Sequence, residues 1–127
     1  MRRIQQKHPK NPKDCGVACV AMLAGCSYQQ AFDAFNFAKD EKIFTTSSDN
    51  IVATLKRLGH FPSVSVFEKW RLIDGCAIVA TSHKKNGDWH WVAFDGKAMI
   101  DPSRGYPGRR KDLRGIRGNG ILIQIKQ

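Results

Sequence analysis

The spacing of hydrophobic positions changes about halfway along this 127-residue chain. Residues 1–13 show no periodicity and carry Pro9 and Pro12, which reads as an extended arm. From Gly16 to Ala24 the residues are small and apolar on nearly every side, and Gly25 is a suitable stop. A helix of that kind belongs inside a core. Ser27 can cap a second helix over 28–39, "YQQAFDAFNFAK", with Ala31, Phe32, Phe35 and Ala38 on one stripe. "TTSSDNIVATLKRLGH" predicts a third, capped by Ser47 or Ser48, with Ile51, Leu55 and Leu58 on one face and Gly59 at its end.

The runs then become short and rich in β-branched and aromatic residues: "SVSVF", "CAIVATS", "WHWVAFD", "AMID" and "GILIQIK". Asn86-Gly87 is a hairpin signal between the second and third runs, and "DGK" at 95–97 is another tight turn. Residues 76–101 therefore predict an antiparallel meander. The glycine- and arginine-rich stretch 104–120 reads as a basic surface loop. Helices first and a sheet afterwards predict an α+β fold, with N-terminal helices packed on a C-terminal antiparallel sheet in one domain, 1–127.

Composition adds bounds. Hydrophobic residues make up 42% of the chain, as in an ordinary globular domain. No apolar run approaches the roughly 20 residues of a membrane helix. "MRRIQQKHPKNPKD" has no apolar core of a secretion signal, so a cytoplasmic location and free thiols at Cys15, Cys19, Cys26 and Cys76 are expected. The net charge of +10 concentrates in the arm and in 104–120. These are two solvated basic segments or the contact surface for an acidic partner. A nucleic-acid-binding role lacks a recognition helix, an aromatic RNA-binding signature or a zinc finger to support it.

Cys15 stands at the first turn of the small-residue helix in "NPKDCGVACVAMLAG". Helix N-termini favour the thiolate, the form of cysteine that attacks. His90, on a predicted strand, is the best imidazole partner, and Asp101 in "MIDPS" lies one hairpin further on, where it can orient His90. Gly16 leaves the approach to Cys15 open. Asp14 reads as the helix cap. Core packing accounts for Cys19, Cys26 and Cys76, and for Trp89 and Trp91, which alternate about His90; Trp89 is also a candidate substrate contact. Arg109 and Arg110 are candidate contacts for an acidic substrate. Cys15 and Cys19 have half of a zinc-site spacing, with no second pair, so neither a metal nor a cofactor is expected.

"DCGVACVAML", "HWVAFDG" and "IDPS" together resemble papain-like cysteine peptidases. The nearer likeness is to the bacterial family that cleaves leader peptides after a double glycine, usually as the front domain of a peptide exporter. The likeness covers roughly residues 5–103. It implies a papain-like α+β fold, with Cys15 as nucleophile, His90 as general base and acid, and Asp101 as orienting residue. It also implies a peptide substrate with glycine at the cleavage point. The family carries an oxyanion-hole glutamine about six residues before the cysteine. That spacing falls on Pro9 here, so a longer loop must bring in Gln6, or else Gln5. No transporter segment follows, so the exporter role is not expected. The leading expectation is a cysteine hydrolase cleaving a peptide, amide or isopeptide bond, with acyl transfer to an amine as a variant. The alternatives are a catalytically weak papain-like module binding an acidic peptide or protein, and a basic nucleic-acid-binding protein.

Overall fold

The computed structural model describes residues 1–7, 14–37, 46–82, 89–103, 108–116 and 118–126. Among them, helices α1 (Cys15–Ala24), α2 (Tyr28–Phe35) and α3 (Ser48–Arg57) precede all the strands. The strands are β1 (Phe61–Ser65), β2 (Ala77–Ser82), β3 (Trp89–Phe94), β4 (Met99–Ile100), β5 (Arg109–Arg110) and β6 (Gly118–Lys126). They form one antiparallel sheet in the order β1-β6-β2-β3-β4-β5. The fold is thus α+β, with a three-helix layer on an antiparallel sheet.

Helix α1 is buried from Cys15 to Leu23, as its uniformly apolar surface requires. Gly25 ends it in the left-handed region at φ 73°, where glycine carries no side-chain penalty. Ser27 and Gln30 close a reciprocal capping box on α2. That helix stops at Phe35, four residues earlier than its stripe predicts. Asn36 adopts φ 56° and turns the chain, so that Phe37 stacks on Phe35 with ring centroids 5.2 Å apart. Ala38 of the predicted stripe lies outside the described residues. Ser47, not Ser48, caps α3, accepting from Asn50 N–H at 3.1 Å.

The meander is present as β2-β3-β4, although its Asn86-Gly87 turn lies outside the described residues. Strand β6 enters between β1 and β2, placing Ile123 opposite both Val64 and Ile78. One sheet face, with Ile78, Ala80, Trp91, Ala93 and Ile123, packs with Cys19, Val20, Ile51 and Leu55 of the helices. The other face, with Val79, Val92, Phe94 and Leu122, is covered by Phe67, Trp70, Leu113 and Ile116.

Two sequence expectations are corrected. The first strand spans 61–65 rather than 63–67, because its register is set by β6. The stretch 104–120 is not loop throughout. Arg109 and Arg110 pair with Ile100 and Met99 as an edge strand, and β6 already begins at Gly118. A two-residue strand with exposed cationic side chains leaves no periodic signal.

Candidate active site

Cys15 is the first residue of α1 and is buried, 5% exposed. It lies where the first backbone N–H groups of a helix lack intrahelical acceptors and the local potential favours an anion. Another donor comes from the sheet. Trp91 N–H points at Cys15 Sγ, with N and S 3.5 Å apart. The reason is a strand that ends early. Asp95 N–H bonds Ala98 O across the β3-β4 turn, so alternate amides at 95, 93 and 91 face β4. Strand β4 stops at Ile100, opposite Ala93. Among the described residues the Trp91 amide then lies beyond the end of β4, and it meets the Cys15 thiol instead of a β4 carbonyl.

His90 is buried near the same open edge, with its carbonyl accepting from Thr81 Oγ1 at 3.0 Å. Its Nε2 is 2.8 Å from Asp101 Oδ1 and 3.0 Å from Ser103 Oγ. The ring nitrogen left for Cys15 is Nδ1. Burial pulls the His90 pKa down, but hydrogen bonds and charge from Asp101 and Cys15 outweigh it and raise the value to about 9. Burial pushes the Asp101 carboxyl up, yet His90 and the Ser103 donors hold it below the usual carboxylate range. The Asp101 carboxylate and the Cys15 sulfur thus both favour the protonated His90 ring.

The arm brings Gln6 into the same neighbourhood. Gln6 is 3% exposed, its N–H donates to Pro102 O at 2.8 Å, and its Oε1 accepts from Ser103 Oγ at 3.4 Å. Lys7 N–H donates to Asp14 Oδ2 at 2.8 Å, which fixes the arm against the residue just before Cys15. Gln5 is exposed and Gln6 buried, so Gln6 is the glutamine placed beside His90 and Asp101.

That grip corrects the expectation for Asp14. It occupies the N-cap position, but its side chain makes no capping bond. Its carboxylate instead accepts from Lys7 N–H and, at 2.5 Å, from Tyr28 Oη. Burial and the Asp14 charge push the Tyr28 hydroxyl pKa up, so it stays a donor.

The remaining candidates separate. Gly16 is buried against Thr46: an added Cβ would lie 1.8 Å from Thr46 Oγ1. It does not leave an open approach; it makes room for the wall of the site, which Trp91 Nε1 fixes by donating to Thr46 O at 2.9 Å. The Trp89 side chain lies outside the described residues. Arg109 is tied to the Asp95 carboxylate and donates to Met1 O at 2.7 Å, so it joins structural segments rather than standing free for a substrate. Arg110 is exposed and donates through Nε to Asp112 O. Cys19 is fully buried and burial raises its pKa strongly; burial also raises that of Cys26. Among the described residues no group of three or more His, Cys, Asp or Glu is arranged to hold a metal; His83, which with His90 flanks the hairpin turn of the sequence and is the other histidine able to serve as a ligand there, lies outside them. Nor is any single helix among them long and apolar enough to cross a membrane.

Sequence reasoning missed the Trp91 amide and Ser103. The first left no trace, because any residue supplies an amide. The second had a signal: Asp-Pro-Ser is an Asx-turn sequence, and Ser103 N–H bonds Asp101 Oδ1 at 2.8 Å. Set against known proteins, the chain matches no family model and no curated sequence.

Proposed function

We propose that this chain is a papain-like cysteine hydrolase that cleaves a peptide, amide or isopeptide bond. The observation that carries the reading is the convergence on His90: Asp101 holds Nε2 at 2.8 Å while Cys15, at a helix N-terminus, bonds the same ring. Cys15 comes from α1, far along the chain from His90 on β3, while Asp101 follows β4, one hairpin beyond His90. Core packing alone does not require them to meet.

In this reading the Cys15 thiolate attacks the substrate carbonyl, forming an S–C bond and an oxyanion. The Cys15 N–H and the Gln6 side-chain amide stabilise that charge. No described residue accepts from Gln6 Nε2, whereas its Oε1 is occupied by Ser103, an arrangement that suits a donor role. His90 Nδ1–H protonates the departing amine as the C–N bond breaks. The neutral ring then takes a proton from water, and hydroxide transfer to the acyl carbon releases the acid and restores the thiolate. A glycine-containing peptide is the substrate class offered by the likeness to double-glycine leader peptidases.

A thiol-directed peptidyl ketone tests the reading without knowledge of the natural substrate. At pH 6 it should label Cys15 ahead of Cys19 and Cys26, whose pKa values are raised by burial. Cys15→Ala should abolish labelling and peptide turnover, and His90→Ala should slow both by about 10²-fold or more. Uniform labelling of the three cysteines, or a His90→Ala protein that reacts at the wild-type rate, would overturn it.

A further inference from the structure

The arm does more than carry Gln6. Beyond Ile100 the turn Asp101-Pro102-Ser103 has left the sheet, and its backbone carbonyls need donors. The arm supplies all three. Arg3 Nε donates to Asp101 O at 3.0 Å, Gln6 N–H to Pro102 O at 2.8 Å, and Arg3 Nη2 to Ser103 O at 2.8 Å. The Arg3 side chain runs over Gly108, where an added Cβ would come within 2.6 Å of Arg3 Cδ. Arg3 thus occupies a slot shaped for it, with its guanidinium fork matched to two carbonyls two residues apart.

We propose that Arg3 is a positioning residue: it holds the Asp101–Ser103 turn so that the Asp101 carboxylate and the Ser103 hydroxyl both meet His90 Nε2. This rests on the hydrolase reading only for its effect on turnover; the geometric part stands by itself. Arg3 belongs to the basic arm but acts inward. Its charge and fork replace the strand partner that β4 fails to provide. Lysine has one point charge and cannot bridge both carbonyls with the same planarity. Among the described residues Asp101, Ser103 and Cys15 face His90, so loosening the turn weakens the Asp101 and Ser103 contacts on the ring.

The test is a side-chain NMR titration of His90 in the full chain, alongside steady-state kinetics. In the wild type His90 should titrate near 9. In Arg3→Gln the midpoint should fall by about one unit or more, because the carboxylate contact that favours the charged ring is loosened. Gly108→Ala leaves Arg3 in place chemically but obstructs its slot, and should shift the midpoint the same way. Arg3→Lys should fall between wild type and Arg3→Gln. Turnover should drop about 10- to 100-fold in Arg3→Gln, through kcat with little change in KM. Should Arg3→Gln and Gly108→Ala both titrate like the wild type, the positioning role is overturned. Full recovery in Arg3→Lys would overturn the fork argument. A wild-type His90 that titrates near 6.5 would instead count against the imidazolium–thiolate reading of the site.

Discussion

His90 Nε2 and Asp101 Oδ1 lie 2.8 Å apart, both buried, which commits one ring nitrogen to the carboxylate and leaves the other for Cys15. The pair has a pH signature. The His90 pKa is raised to about 9, so the stability it contributes is complete below its ordinary value near 6.5 and is lost as pH rises through about 9. The Asp101 pKa is lowered, so its contribution is present above the usual carboxylate range and is lost as pH falls through its depressed value. Asp101→Asn should move the alkaline limb of kcat/KM to lower pH and reduce kcat by about 10²-fold, less than loss of Cys15. A pH–rate profile of the variant that retains the wild-type alkaline limb would contradict this.

In the proposed hydrolase mechanism Gln6 acts on charge that develops during attack, not on the bound substrate. Gln6→Ala should lower kcat by about 10²–10³ with KM nearly constant. Gln5→Ala, at an exposed position, should leave both constants unchanged. Steady-state kinetics on one peptide substrate decide the matter: a rise in KM alone would assign Gln6 to substrate binding.

Gly16→Ala should destabilise the fold. Its new Cβ would sit 1.8 Å from Thr46 Oγ1, and Thr46 is held in place through its carbonyl by Trp91 Nε1. Overpacking of this sort costs about 1–3 kcal/mol. Urea unfolding should show a lower midpoint with an unchanged m value, and Thr46→Ala in the same chain should recover part of the loss. An undiminished midpoint in Gly16→Ala would mean the wall yields freely.

The surface charge has a narrower role than its total suggests. Arg109 joins Asp95 to Met1, and Arg3 serves the Asp101 turn, so neither is free to meet an acidic ligand. Arg110 and Lys111 remain exposed. The double variant Arg110→Glu, Lys111→Glu should slow capture of an acidic peptide several-fold at low salt, and the difference should shrink at physiological ionic strength, where the Debye length is about 8 Å. Stopped-flow association with acidic and neutral peptides measures it; equal rates for both peptides at low salt would remove the electrostatic role.

The sequence by itself determined what depends on neighbours in the chain. Gly25, Ser27 and Ser47 mark helix ends through local backbone and capping geometry, and the period-2 runs mark β2, β3 and β6. The types and order of Cys15, His90 and Asp101 were legible for the same reason: each sits at a recognisable helix start, strand or turn. Tertiary structure decided which backbone groups were left without partners and what came to satisfy them. The early end of β4 left the Trp91 amide to Cys15 and the carbonyls of residues 101–103 to Arg3 and Gln6. The same folding turned Asp14 from a helix cap into the anchor of the arm, and placed β6 between β1 and β2. Such contacts join residues up to 100 positions apart, and in most of them one partner is a backbone group that almost every residue carries, so no local pattern encodes the pairing.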